Sequence, residues 1–530
     1  VNTSAESYVA WTFRKAPKFF DIVTFSGSGS GIKTVDHNLG SAPALILLKK
    51  TSASQDWLVF SKDTSQPHNK YLKLNENVLE QSYDNIWGPN SYLPTATQFK
   101  VQHLANESAT YVAYLFANND GDGEFGSTGD QDIIKCGSYT GTGSSQHIDV
   151  GFEPQCILVK SSSHSGEWLI LDTMRGWSNG LTDHTLDGLL YPSANSITGT
   201  GDLGHPSTTG FYTSLANEYN TSGQTFIYVA IRAPMMATIT DATEVFNVLK
   251  ETSATLNESY LQQTSFPVDF VINKIFDGAS SWWSAPRLTH ARLQLESTAA
   301  ETAANSTHKF DQNNGVIVTG LSGSSNFMGY HFKRAKGFFD VVAYTGTGSA
   351  LNVSHSLGVA PEMMWIKNRG VADPWAVYYG DNTDYLVLDT TAATVDDATW
   401  WNDTSPTASV FTVNTDHSVN ASGEFYIAYL FATFAGVSKV GTVTHSGTST
   451  DVACGFSAGA RFVMLKRTDA TGYWYFWDSV RGIVAGDDPY LRLDETIAQV
   501  TNTDYIDPLT GGFQISGDFT DGDYIFYAIA

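Results

Sequence analysis

The feature that most limits what this chain can fold into is that it repeats itself. Residues 14–29 read RKAPKFFDIVTFSGSG and residues 334–348 read RAKGFFDVVAYTGTG; related openings stand at 133–143 (IIKCGSYTGTG) and 437–447 (VSKVGTVTHSG). Each opening leads through a small loop to an apolar run: NLGSAPALILLKK, GFEPQCILVK, SLGVAPEMMWIK or GFSAGARFVMLKR. An aromatic strand follows (DWLVF, EWLILD, PWAVYY, YWYFWD), then a YLxL strand at 71–74, 385–388 and 490–493, then a closing aromatic alternation such as TYVAYLF. A divergent fifth copy keeps the order and spacing: PVDFVINKIF (267–276), SWWSA (281–285), ARLQL (291–295) and FMGYHF (327–332). A fixed period of this kind marks one supersecondary unit used again and again. Boundaries fall at 16–117, 133–234, 235–333, 334–432 and 433–530, numbered here as modules 1 to 5, with an acidic glycine-rich linker at 118–132.

The copies are of three types. Modules 1 and 4 (type A) share the FFD opening and the LGxAP loop. Modules 2 and 5 (type B) share D-x-x-R-G, Asp172 to Gly176 and Asp478 to Gly482; module 3 alone is type C. Residues 7–21, SYVAWTFRKAPKFFD, match the end of module 3 and its continuation, GYHFKRAKGFFD. Residues 1–15 are therefore expected to be the last strand of a preceding type C module. On that reading residue 1 is a truncation point or the end of such a module, within a super-repeat of about 319 residues.

The strands are short, bounded by Gly, Pro, Asn and Ser, and recur every 10–15 residues or so, which reads as antiparallel β. The expected fold is all-β: a tandem array of about five antiparallel β-sandwich, jelly-roll-like modules, each of about 100 residues and able to bury its own core. In 110–116, Tyr111, Ala113 and Leu115 alternate with Val112, Tyr114 and Phe116. Both faces are apolar, so that strand is expected to be covered on both sides. The stretch 242–262 has a partial helical pattern, but its match to the repeat opening favours strands. The short linkers imply that neighbouring modules pack stiffly.

A net charge of −24 repels nucleic acid and anionic membranes. Three cysteines with no CxxC spacing, Cys136, Cys156 and Cys454, argue against a disulfide framework or a zinc site and read as small buried groups. No apolar stretch approaches the 18 residues or so of a transmembrane helix.

FFDVVAYTGTG, SLGVAPEMMWIKN, WNDTSPTASVFTV (401–413), NASGEFYIAYLFA and the linker DGDGEFGSTGDQDIIKCGSYTGTG (120–143) resemble a repeat module of large tail and fibre proteins of marine phages, cyanophages included. The resemblance covers nearly the whole chain and is weak only over 235–333. It implies a virion structural protein in the extracellular particle, assembled as a homo-oligomer with other virion proteins and attaching to host surface glycans. It brings no catalytic residue and no cofactor. A capsid or tail decoration protein without a receptor, and a polysaccharide depolymerase, are the alternatives.

Three constellations are candidates for chemistry. Asp120, Asp122, Glu124, Asp130 and Asp132 alternate with glycines, as in loops that hold calcium, though not with EF-hand spacing; a flexible acidic linker is the plainer reading. The Asp172–Arg175 and Asp478–Arg481 pairs contact a sugar or, more simply, fix a turn. Tyr83, Trp87, Tyr92, Trp177, Trp400, Trp401 and Tyr505 sit in turn-rich, exposed-looking places where aromatic faces stack on sugars. Trp57, Trp168, Trp375 and Trp474 recur at one repeat position and read as core or inter-module packing. There is no GxSxG, HExxH or phosphate loop, and His147, His164, His184 and His205 match no metal spacing. The chain is not expected to be an enzyme. The sequons at Asn220 and Asn420 read as chance in an Asn/Ser/Thr-rich chain.

Overall fold

The repeat folds as a large antiparallel sheet facing a small one. A computed structural model describes residues 9–89, 91–126, 129–178, 189–193, 203–214, 218–233, 239–251, 259–303, 307–319 and 326–530. In module 1 the large sheet has six strands in the spatial order Phe20–Ser26, Thr110–Phe116, Leu45–Lys50, Leu58–Ser61, Lys70–Lys73 and Gln81–Ser82. The small sheet pairs Lys33–Asp36 with Gln98–Val101. First strand beside last and second beside penultimate is jelly-roll nesting. The fourth to sixth strands depart from it: they extend the large sheet as a meander instead of crossing to the small one. The other four modules repeat this plan with large sheets of five or six strands and small sheets of two or three. Over 242–262 the described residues form a single 3₁₀ turn, Ala242–Glu244, and the strands Phe246–Glu251 and Ser259–Gln263.

The module's own core lies between its two sheets. In module 4 it holds Val342, Ile366, Tyr378, Phe411, Tyr426, Ala428 and Leu430. Asn220 and Asn420 belong to this scaffold: both are fully buried, and the Asn420 amide donates to the carbonyls of Ser349 and Asn414, each at 2.6 Å. Burial of the Cys136 and Cys454 thiols raises their pKa to about 12, so both stay protonated inside their modules.

The other face of the large sheet is apolar too, and this fixes how modules associate. The chain divides into two compact units, residues 1–172 with 187–235, and residues 173–186 with 236–530. The second contains modules 3, 4 and 5. There Ile427, Tyr429 and Phe431 of module 4 share one core with Ile272, Tyr330 and Phe332 of module 3 and with Met464, Tyr527 and Ile529 of module 5. The contacts are cyclic: Phe270 meets Tyr429 at 4.3 Å, Phe431 meets Tyr527 at 5.1 Å, and Phe462 meets Tyr330 at 5.7 Å between ring centroids.

A hydrogen-bond set repeats around this ring. The indole of Trp375 (module 4) donates to the carbonyl of Gln294 (module 3) at 2.9 Å, that of Trp474 (module 5) to Val387 (module 4) at 3.0 Å, and that of Trp282 (module 3) to Arg492 (module 5) at 2.9 Å. The three acceptors hold one register position, the third residue of the YLxL or RLQL strand. Beside them the amides of Asp373, Gly472 and Ser280 donate to the carbonyls of Thr298, Thr391 and Thr496 at 2.8–3.0 Å. Three modules thus close on themselves, the last bonding back to the first. The first unit contains module 1 and module 2 apart from residues 173–186, joined by one such contact: Trp168 donates to the Lys73 carbonyl and Gly166 to Asn77, both at 2.7 Å.

An ion pair between modules 4 and 3 is sealed into the ring. Arg369 of module 4 forks onto Glu301 of module 3 at 2.7 and 3.1 Å, both side chains about 1% exposed. Removing one partner strands a buried charge, which costs about 3–5 kcal/mol. Arg369→Met is therefore expected to lower the stability of the three-module unit by about that much in urea unfolding. Adding Glu301→Leu in the same chain should recover most of the loss.

Candidate functional site

Three positions distinguish module 3 from its four sisters. Strand register aligns Gln262 with Val35, Ile148, Val353 and Val452; Asn273 with Leu48, Val159, Ile366 and Leu465; and His331 with Leu115, Ala230, Leu430 and Ala528. All of these point into the sandwich. Four modules fill it with hydrocarbon, whereas module 3 buries two amides and an imidazole. Unpaired, each would cost roughly 1–3 kcal/mol.

They are paired with one another. His331 Nε2 lies 2.7 Å from Gln262 Oε1, Gln262 Nε2 donates to Asn273 Oδ1 at 2.7 Å, and Asn273 Nδ2 lies 3.1 Å from His308 Nε2. The chain is anchored by the Asn247 carbonyl, 3.3 Å from His331 Nδ1, and by the Thr307 hydroxyl, 3.1 Å from His308 Nδ1. With Nε2–H of a neutral His331 donating to Gln262, Nδ1 would meet the Asn247 carbonyl without a proton; reversing both amides lets Nδ1–H serve Asn247 and leaves every link satisfied. Burial depresses both imidazoles, His331 to about 4 and His308 to about 3, so both are neutral at physiological pH.

The network ends at a half-open cavity of about 230 Å³, walled by Asn273, His308, Thr307, Ser281, Trp283 and Arg292 among others. The Arg292 guanidinium stacks 4.0 Å over the Trp283 ring and its Nε donates to the Thr302 hydroxyl at 3.2 Å, giving a flat cationic–aromatic wall. Lys274 at the rim is buried, its ammonium bonded to the carbonyls of Ser280 and, at 3.0 Å, Thr496. Drug-sized ligands occupy roughly 300 Å³ or more; this cavity is sized for one small polar ring. Its walls offer hydroxyl-bonding groups beside an aromatic face.

The residues singled out by sequence are placed differently. Trp87, Trp177 and Trp401 are 1% exposed and Trp400 is 4% exposed, so their expected surface position is wrong. Trp87 and Trp401 donate to the carbonyls of Lys70 and Asp384, and Trp400 stacks on Tyr385 at 3.6 Å: turn-forming neighbours surround them, but the loops fold over the sandwich ends. Tyr505 is half-buried, stacked on Tyr490 at 5.4 Å. Tyr92 is half-buried under Lys100 and donates to the Gln98 carbonyl at 3.2 Å; Tyr83 alone is well exposed, beside His103. None of the seven lines the cavity.

The acidic linker also turns inward. Asp132 accepts the amides of Gly121 and Gly123, each at 2.8 Å; Asp120 pairs with Lys135, and Glu124 with Lys18 at 2.8 Å. A side chain at position 123 would strike the Gln131 carbonyl, which explains that glycine. Among the described residues no three His, Cys, Asp or Glu side chains converge on a metal position, so the calcium reading has no geometry behind it. Asp478 and Arg481 form a buried pair at 2.6 Å that also receives the Tyr330 hydroxyl at 2.9 Å, a junction between modules 5 and 3. Of the four histidines of module 2, His147 and His205 flank Tyr212, each ring 4.8 Å from it, and His184 lies outside the described residues. Among the described residues no helix is long and apolar enough to cross a membrane.

Fold and site together define a multi-module β-sandwich protein in which one divergent module carries a polar cavity. The chain belongs to the DUF7483 family, a domain of unknown function, which matches residues 1–233 and 333–530. No curated protein matches it. The family match passes over module 3, the module that departs from the repeat and holds the cavity.

The neutral histidines have a measurable consequence. A native imidazole depressed to about 4 binds fewer protons than its unfolded counterpart near 6.5, so it contributes stability above pH 6.5 that is lost as pH falls towards 4. Asp488 and Asp494 in module 5, raised by burial to about 7 and about 6, act in the opposite sense. The test is therefore a difference between proteins. Replacing His331 and Gln262 together by Leu, which restores the pattern of the sister modules, should reduce the loss of stability between pH 6.5 and 4.5 by about 2 kcal/mol in urea unfolding.

Proposed function

We propose that this chain is a structural component of a virion, a tail fibre or related appendage, that attaches to host surface glycans, and that the cavity of module 3 is its glycan contact. The observation that carries the reading is the cavity wall: a Trp283–Arg292 stack beside Asn273, its cross-strand partner, in a cavity that Ser281, Thr307 and His308 also line. An aromatic face meets the apolar face of a sugar ring while amide, hydroxyl and imidazole groups bond its hydroxyls. The virion assignment rests on the resemblance of modules 1, 2, 4 and 5 to phage tail and fibre repeats. A receptor-binding module set among stiff repeats suits an appendage that gains avidity by presenting many weak sites.

The experiment is a host-cell and polysaccharide binding assay with the 530-residue chain. Trp283→Ala and Arg292→Ala are each expected to weaken binding about tenfold or more, with urea unfolding unchanged, and Tyr83→Ala to leave it intact. Reducing sugar released from host polysaccharide would replace the adhesive reading by a depolymerase. Binding indifferent to both substitutions would remove the cavity from it.

A further inference from the structure

We infer that modules 1 and 2 form two-thirds of a ring, and that the vacant third place is taken by another β-sandwich module of the type C pattern, joined in line to the segment Val9–Phe13.

Module 1 is built for a contact that, among the described residues, it does not make. Lys49 lies 5.6 Å over the Trp57 ring, as Lys466 lies 5.7 Å over Trp474. The Trp57 amide takes Asn75 Oδ1 at 2.8 Å, as the Trp375 amide takes Asp389 Oδ1 at 2.8 Å. The indoles of Trp168, Trp282, Trp375 and Trp474 all reach a carbonyl of a neighbouring module, and these four side chains are at most 1% exposed. Trp57 is half-buried and meets no such carbonyl among the described residues. Lys49 is likewise half-buried, whereas Lys160, Lys274, Lys367 and Lys466 at its position are at most 1% exposed.

The same difference runs across the sheet. Ile22, Leu47 and Tyr114 are half-buried, while their register equivalents in module 4, Val341, Trp365 and Tyr429, are at most 2% exposed. These residues face the shared core in the complete ring. In module 2, Leu158 and Ile231 are half-buried where Met464 and Ile529 of module 5 are sealed. Both modules of the first unit thus leave their ring-facing sides open to one degree or another.

The occupant is identified by the residue already in place. Phe13 lies 5.2, 6.2 and 5.8 Å from Phe20, Phe19 and Phe116. Phe332, the last strand residue of module 3, lies 5.2, 6.4 and 6.2 Å from Phe339, Phe338 and Phe431. Phe13 is to module 1 what Phe332 is to module 4, and Val9–Phe13 align with Met328–Phe332. In module 3 that strand is bonded on both sides, by Phe246–Glu251 and Phe270–Ile275. Among the described residues Val9–Phe13 are not in a sheet. A second copy of the first unit is the wrong occupant, because it would bring two modules to a place for one.

The test compares the 530-residue chain with the same chain extended by a second copy of residues 235–326 spliced ahead of residue 8. Closing the ring should slow hydrogen exchange at the Trp57 indole and the Gln55 amide at least tenfold, and cut acrylamide quenching of Trp57 to that of Trp375. A folded added module that leaves Trp57 as accessible as before overturns the proposal. The unextended chain supplies an arm that does not depend on the fusion. Tyr114→Lys should leave the unfolding transition of the first unit in place, whereas Tyr429→Lys should abolish that of the ring. If Tyr114→Lys unfolds its unit as well, or if it converts a dimeric chain into a monomer, the open face is already occupied and the proposal falls.

Discussion

The structure depends on a sheet that must be covered on both faces. An ordinary sandwich buries one face of each sheet and wets the other. Here the large sheet carries Tyr426, Ala428 and Leu430 on one side and Ile427, Tyr429 and Phe431 on the other, and every one of them is at most 1% exposed. A single module cannot supply the second cover. Three can, because their second faces converge on one axis and exclude water mutually. The association is therefore folding by other means: the core between modules is of the same kind as the cores within them.

Hydrophobic burial is non-directional, so the register of the ring needs something else. The repeated indole-to-carbonyl bond supplies it. Each is worth about 1 kcal/mol net, small beside the area buried. Its value is geometric, since the acceptor is one carbonyl of one outer strand and a one-residue slip would present the opposite face. The departure from jelly-roll topology follows from this. The Trp strand and the YLxL strand stay in the large sheet as its outer meander and so reach the neighbouring module. Crossed over to the small sheet, they would point away from it.

How much of this was legible in the sequence varies with the range of the interaction. The all-β repeat and the two-faced strand were legible because identity and alternation are local. So was the structural character of Trp168, Trp375 and Trp474, since a part that recurs with the scaffold belongs to the scaffold. What covers the second face was not, because alternation reports that a residue is buried and not against what. Trp87, Trp400 and Trp401 misled for a related reason: turn-forming residues around them mark loops, but a loop folded back onto the sandwich carries its aromatic into the core. The acidic linker misled because carboxylates that accept backbone amides have the same spacing as carboxylates that could hold a cation.

The cavity was within reach of the sequence and was missed. Once the repeats are aligned strand by strand, Gln262, Asn273 and His331 stand where every sister module has hydrocarbon. Divergence of module 3 reads at first as weakened similarity, a loss of information. In a repeat whose scaffold positions are held by the requirement to close a ring, divergence is instead concentrated where the scaffold leaves freedom, on the sandwich side of the sheet. Module 3 keeps Ile272, Trp282, Tyr330 and Phe332 for the ring and spends its differences inside. A buried polar network costs stability unless every member is satisfied. Its presence in one module out of five, at the wall of a cavity, sets that module's interior apart from the scaffold it shares with its sisters.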